Sequence, residues 1–414
     1  MNLRLFSLFT GILIVICIII PAVMAADPIF IVPASPGIEL STVVISHDGS
    51  TIVAGGDQLI ALSRDGTKLW SGWSGTFLDI SGNGEYIVTS QGRTVRLFNR
   101  QGIMLWDHSL GATVTDISMT PDASMIAAGG GNTVQSWYNS GSGLGQNVTD
   151  TVNDIKISPV RDQVIVATTK ALRSFNMSYV PNWYDDTINP GTIEISGDGT
   201  GIVIPNGNRI RMYHGSGTQL WDRSFTGGNI ISIAYSRDGS TIVAGRDDSS
   251  VIAVDREGKL LWTGNAGYWV TSVGISDDGS TIATGSIDNN ICVFDRLGTL
   301  IGSYQTKNPI KSRSVAVSGD GSLIVAVDES NVYGFSRSGF SVTVTTQVQE
   351  VPGNVSTAAL LNTTPIGTTL PVTEIIPSIP GNEPVMTTGT TPASGFPWLI
   401  TLLPLILVIL ARRK

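Results

Sequence analysis

Two phrases that alternate along the chain, a period of about 39 residues and the absence of helical periodicity predict an all-β fold class. The architecture they point to is a β-propeller of eight four-stranded blades, or seven if the third or fourth repeat is a distorted insertion. The first phrase is an alternating apolar run ending in Ser, an Asp-Gly turn and a β-branched run. It reads Ile45-Ser-His-Asp-Gly-Ser-Thr-Ile-Val-Ala-Gly55 and returns at Ile195, Tyr235, Ile275 and Val317. Weaker copies begin at Ile80, Ile117 and Ile157, which makes the marker serines Ser46, Ser81, Ser118, Ser158, Ser196, Ser236, Ser276 and Ser318. The second phrase falls between markers, as in Leu62-Ser-Arg-Asp-Gly-Thr-Lys-Leu-Trp70 and Val254-Asp-Arg-Glu-Gly-Lys-Leu-Leu-Trp262.

Each period holds four short strands. In the seventh they are expected at Val270–Ile275, Thr281–Ser286, Ile291–Asp295 and Thr299–Tyr304, with turn residues between them. Blades that are apolar on both faces cannot stand alone and must stack around an axis. The Asp-Gly and Arg-x-Gly positions are hairpin turns in which Asp caps and Gly takes positive φ. The Trp four residues after the turn glycine is placed between neighbouring blades.

Asp48, Asp198, Asp238, Asp278 and Asp320 each offer one carboxylate in a two-residue turn, whereas calcium wants six to eight oxygens; they read as turn residues. Arg64, Arg100, Arg256, Arg296 and Arg337 share one turn type and are expected to bind carboxylates or cover the adjacent blade. His47, His108 and His214 lie in or near turns of different blades without a paired spacing, so no metal site is expected. Neither a Gly-x-Ser-x-Gly elbow nor a Walker loop occurs.

The Ser-x-Asp-Gly-Ser-x-Ile-Val-Ala-Gly phrase resembles WD40-like propellers, and Asp-Arg-x-Gly-x-Leu-Leu-Trp resembles the repeats of quinoprotein (PQQ) dehydrogenase-like propellers. The likeness covers residues 40–344, and the whole chain resembles archaeal cell-surface proteins of this type. It implies the propeller fold but no activity, because both families include many members without catalysis. A quinoprotein enzyme would need a cofactor pocket on the axis, calcium, acidic residues and often adjacent cysteines. No Cys-Cys pair exists, so no cofactor and no enzymatic activity are expected.

The two ends place the chain. Residues 1–25 combine one cation, an apolar run and Val23-Met24-Ala25, the parts of a secretory signal; an uncleaved anchor is the alternative. Residues 26–39 lead into the propeller at 40–344. Residues 345–394 hold no Lys or Arg, are crowded with Thr and Pro, and read as an extended stalk. Residues 395–411 are apolar enough for a transmembrane helix or a sorting tail, followed by a basic cytoplasmic end at 412–414. After signal removal only Cys292 remains, so no intrachain disulfide forms. Asn147, Asn176, Asn354 and Asn362 stand in glycosylation sequons.

Setting aside Arg4, Arg412, Arg413 and Lys414 leaves 21 basic against 33 acidic residues, a body near −12. That balance argues against nucleic acid as partner. The informative positions are those the repeat does not dictate, on the face opposite the repeated turns. There Asp57, Trp73, Arg246, Asp247, Asp248, Tyr268, Trp269, Asp288, Asn289 and Asp328 form a candidate partner-binding face. For Trp73 and Trp269 the competing reading is packing between blades. The expected function is a non-catalytic cell-surface scaffold for a surface protein or glycan, secreted and held at the membrane by its C-terminal segment. Alternatives are an extracytoplasmic PQQ-like enzyme, a ligand or cation sensor with polar residues converging on the axis, or a structural envelope component.

Overall fold

A computed structural model describes residues 18–22, 26–148, 150–340 and 343–347. Within them, eight four-stranded antiparallel sheets follow one another as the blades of a propeller. Blade 1 runs through Leu40–Ile45, Thr51–Gly56, Leu59–Ser63 and Lys68–Gly72, from the innermost strand outward. Blades 2 to 7 repeat this path at residues 77–109, 116–147, 152–185, 194–224, 230–265 and 270–305. Blade 8 takes three strands from Val315–Val317, Leu323–Val327 and Asn331–Ser336. Its outer strand is Phe30–Pro33, paired with Asn331–Gly334, so residues 26–39 close the ring as well as leading into it.

The four strands expected in the seventh period are found at Val270–Ile275, Thr281–Ser286, Asn290–Asp295 and Leu300–Gln305. Two further segments, Ile18–Ala22 and Thr343–Gln347, pair as an antiparallel ribbon. The rest of the signal region, most of the 345–394 stalk, the 395–411 segment, the basic end, Asn354 and Asn362 lie outside the described residues. Among the described residues no helix is long and apolar enough to cross a membrane.

The marker phrase folds as it does because serine and aspartate together satisfy the turn. In blade 1 the Ser46 hydroxyl donates to Asp48 Oδ1 at 2.6 Å and accepts from the Thr51 amide at 3.0 Å. Asp48 Oδ1 also accepts from the Ser50 amide. The same pair recurs as Ser196–Asp198, Ser236–Asp238, Ser276–Asp278 and Ser318–Asp320. Burial works against these carboxylates, but the hydroxyl and amide donors outweigh it. Asp48, Asp238 and Asp278 are held below the usual range, and Asp320 at about 2. In blade 3 the marker is Thr120 rather than Ser118, since Thr120 Oγ1 accepts from the Met125 amide at 3.1 Å. Ser118 instead lies on the inner strand and accepts from the Ile157 amide of blade 4.

The second phrase joins blade to blade. The outer-strand Trp of one blade lies on the turn glycine of the next, and its indole N–H donates to a backbone carbonyl there. Trp70 donates to Arg100 O over Gly102, Trp221 to Arg256 O over Gly258, and Trp262 to Arg296 O over Gly298. Trp106 and Trp183 do the same with Asn139 O and Gly215 O. Phe30 takes this place on the closing strand, with its ring against Gly66 and Gly334. Blade 3 brings no tryptophan to blade 4, and there Tyr179 occupies the turn position at φ 58°, with its side chain buried. Blade 7 brings none to blade 8 either, since Gly302 stands opposite Val293 where Trp262 stands opposite Ala253. The turn arginines span the same junctions: Arg64 reaches Asp320 of blade 8, and Arg256 reaches Asp198 of blade 5 at 3.5 Å.

These contacts predict a contrast between two glycines. A Cβ on Gly298 would meet the Trp262 ring at 2.5 Å from a backbone at φ +82°, whereas one on Gly339 would meet nothing within 4 Å. Gly298→Ala should lower stability by about 2 kcal/mol or more, and Gly339→Ala by less than about 0.5 kcal/mol, in thermal or urea unfolding.

Candidate functional site

Inner strands or their approaches from all eight blades line an axial cavity of about 510 Å³. Its walls are unequal. Blades 2 to 5 contribute Asp79, Asp116, Asp154, Lys156 and Glu194, while blades 1, 6 and 7 contribute Val44, Ile231, Ile233 and Val273. Strand alternation explains the placement, because residues two apart on an inner strand share a face. Asp154 and Lys156 therefore face the axis together.

Two of the carboxylates also tie blades. Asp79 accepts from the amides of Ile80 at 2.8 Å and of Met119, in blade 3, at 2.7 Å. Asp154 accepts from Ile155 at 2.9 Å and from Ile193, entering blade 5, at 2.8 Å. Across the axis, Arg313 on the connection into blade 8 pairs with Asp116 of blade 3. Its other nitrogen lies 4.0 Å from Asp154, and its guanidinium lies over the Phe77 ring. Lys156 Nζ is 4.0 Å from Asp116 Oδ2.

Burial disfavours all four carboxylates, and the nearby cations decide each outcome. Burial pushes Asp79 up to about 6 against the pull of Lys156 and the amide donors. Burial and then the charge of Asp116 push Asp154 well above its ordinary value, and burial also raises Glu194. For Asp116 the attraction of Arg313 and Lys156 outweighs burial and holds the carboxyl below the usual range.

The far end of the axis is closed by the residues that follow the marker serines. Backbone bonds run from turn to turn, including Gly197 N to Arg237 O, Asp277 N to Gly319 O and Gly319 N to His47 O. His47 Nδ1 lies 3.0 Å from Asp277 Oδ1, and Arg237 Nη1 lies 2.5 Å from His47 Nε2. Blades 1, 6 and 7 thus meet across the axis. Glycine at 197 and 319 makes room, since a Cβ there would strike Arg237 or Asp277.

On the opposite face, Tyr268 and Trp269 stack with centroids 6.0 Å apart, and each is about half exposed, at 50% and 47%. They sit between two loops. Ala266 N donates to Ser249 O of blade 6, and Ile287 N of blade 7 donates to Trp269 O. Asp288 flanks the pair from the same loop, with Oδ1 accepting from the Asn290 amide at 3.2 Å. Asn289 stands at φ 69° and donates to Lys307 O. Asp247 and Asp248 hold the incoming chain through the amides of Asn229 and Gly228. Asp57 is exposed, and its carboxylate accepts from the Glu39 amide at 3.3 Å. Trp73 does both things expected of it: half its surface is free, while its ring packs on Phe98 beneath Arg96.

Two residues assigned to this face from sequence do not present themselves on it. Arg246 is 1% exposed, because it ends the second strand of blade 6 and its guanidinium turns inward to donate to Thr226 O at 2.7 Å. Asp328 is 2% exposed and fully engaged, accepting from the Ser330, Asn331 and Asn308 amides and from the Tyr333 hydroxyl. His108 is likewise not a turn residue. It stands on the outer strand of blade 2, stacked on Trp137 at 5.6 Å. Asn176 caps its turn by accepting from the Ser178 and Val180 amides, and the backbone of Asn147 ends the outer strand of blade 3. Cys292 is a buried free thiol, pushed up to about 12 by burial.

A family model for the WD40 repeat (WD domain, G-beta repeat) matches residues 258–295, from the outer turn of blade 6 through the third strand of blade 7. No curated protein sequence matches the chain. Among solved structures, the C-terminal WD40 domain of Sif2 is similar with a TM-score of 0.66 at 16% identity, covering 76% of this chain and 99% of that one. Sqt1 from Chaetomium thermophilum gives 0.64 at 14% identity, covering 75% and 98%. Sqt1 bound to the N-terminus of the ribosomal protein L10 gives 0.61 at 15%, covering 72% and 97%. Together with the eight blades, these likenesses establish a WD40-like β-propeller.

The raised Asp79 carboxyl sets a pH dependence. Its folded value of about 6 lies above the ordinary 3.8, so its contribution to stability is present below about pH 4 and lost as pH rises through 6. The loss is on the order of 3 kcal/mol. Stability of the wild type relative to Asp79→Asn should therefore fall by about that amount between roughly pH 4 and pH 7, read by denaturant unfolding at each pH.

Proposed function

We propose that the chain is a non-catalytic scaffold at the cell surface that captures a protein partner through the face bearing Tyr268 and Trp269. The stacked, half-exposed pair carries this reading. Two large rings left in water beside Asp288 offer the apolar anchor and polar rim of a contact surface. The repeated turns on the other face are occupied with holding blades together, whereas the rings of Tyr268 and Trp269 are left half exposed. Sqt1, a propeller of similar fold, is recorded bound to the N-terminus of a ribosomal protein, a precedent for capturing a segment of another protein. The acidic body favours a basic partner segment. The signal-like start, the Thr/Pro stalk and the apolar C-terminal segment support tethering on the outside of the cytoplasmic membrane.

Partner capture from surface extracts of the source cells tests this. Tyr268→Ala and Trp269→Ala should each weaken capture at least about tenfold while leaving the thermal midpoint unchanged. Undiminished capture by both variants would move the interface elsewhere, and capture abolished by glycosidase treatment of the extract would replace the protein partner with a glycan. Protease shaving of intact cells should release propeller fragments; their retention inside would overturn the location.

A further inference from the structure

We infer that the axial cavity is a binding site for a small organic cation, an alkylammonium whose charge lies toward Asp79 and Glu194 and whose apolar body lies against Ile231 and Val273. The site is independent of the Tyr268–Trp269 surface.

The first observation is a charge imbalance inside an enclosed space. Four carboxyl groups line the cavity, against the two cations of Lys156 and Arg313. Arg313 is committed to Asp116 and Asp154. Lys156 alone therefore stands against Asp79, Glu194 and what remains of the other two, and its nearest recorded carboxylate oxygen is 4.0 Å away. Asp116, 1% exposed, keeps Oδ2 without a hydrogen-bond partner although that atom is buried. An acceptor left unbonded in the interior costs free energy, and a donor from a ligand would relieve it. The raised values of Asp79, Asp154 and Glu194 are set first by burial, which the nearby Lys156 and Arg313 do not offset.

The second observation is the opposite wall. Ile231 leaves 42% of its surface open on the inner strand of blade 6, among Val44, Ile233 and Val273. A cavity of about 510 Å³ with one charged wall and one that sets aliphatic side chains among the hydroxyls of Thr42, Ser232 and Ser272 suits an amphipathic molecule rather than a bare ion. Among the described residues no three His, Cys, Asp or Glu side chains gather closely enough to share a metal ion, so the acids are too dispersed for chelation. An ammonium bonds to separated acceptors through three donors.

Access follows from the two ends. His47, Asp277 and Arg237 close the turn face. At the other mouth the bar is the partly exposed side chain of Arg313, reaching across from a backbone at φ 60°. Entry is therefore from the variable face, past Arg313.

The test is isothermal titration of the full chain with n-butylammonium, with butyrate, n-butanol and calcium chloride titrated in parallel. Saturable binding of n-butylammonium alone is expected. Glu194→Gln should weaken it about tenfold with an unchanged thermal midpoint. Ile231→Ala should weaken n-butylammonium but leave methylammonium as it was, a readout that survives if the charged wall tolerates no substitution. The Trp269→Ala chain should bind the probe normally, whatever becomes of partner capture. Absence of saturable binding, binding indifferent to both Glu194→Gln and Ile231→Ala, preference for butyrate, or displacement by calcium would each overturn the assignment.

Discussion

The interaction on which the structure depends is the docking of one blade's outer-strand aromatic on the turn glycine of the next. A single four-stranded blade has two apolar faces and no means of covering them, so it exists only while its neighbours do. Trp70, Trp106, Trp183, Trp221 and Trp262 supply both cover and direction, because the indole N–H finds a specific carbonyl. Phe30 completes the circle from the other end of the propeller sequence. Where the aromatic is missing the chain compensates differently: Tyr179 fills its own junction, and the junction into blade 8 is left with an uncovered Gly339.

This device divides the molecule. The turns that carry the marker serines, the glycines and the arginines all lie on one face, where the Ser–Asp pairs are bonded within their turns and Arg64 and Arg256 across a junction. His47, Asp277 and Arg237 extend the same closure to the axis. On the other face Asp247, Asp248 and Asp328 also hold connecting chain, yet there the chain leaves Trp73, Tyr268 and Trp269 exposed. Between the faces, the inner strands leave a cavity whose charged wall also ties blades through Asp79 and Asp154. Structural and ligand-facing chemistry therefore share residues on the axis but are separated on the surface.

Much of this is legible in the sequence. Ser46-x-Asp48-Gly49 specifies a turn by itself, since hydroxyl, carboxylate and φ requirement are all local, and its repetition gives the blades. Ser118 stands in for the marker at Thr120 in the sequence because the two lie only two residues apart and both carry a hydroxyl, although Ser118 is in the inner strand and Thr120 just beyond it. Arg246 and Asp328 were misplaced for a different reason. A charged residue beside a loop can turn inward if a carbonyl or hydroxyl waits there, and Thr226 and Tyr333 are contributed from 20 and five residues away. The axial cluster was harder still. Asp79, Asp116, Asp154, Lys156, Glu194 and Arg313 are spread over five chain segments and meet only through ring closure. For the carboxylates and Lys156 the available signal is their phase, two or four residues before the marker; two residues before it, blades 1, 6, 7 and 8 carry Val44, Ala234, Gly274 and Ala316.

The central claim is that one face holds the ring together while the other is free to bind. Thermal unfolding of four single variants, His47→Ala, Asp277→Ala, Tyr268→Ala and Trp269→Ala, measures that division directly. The account predicts lower midpoints for the first two and unchanged midpoints for the last two. Equal losses on both faces, or losses confined to Tyr268 and Trp269, would contradict it.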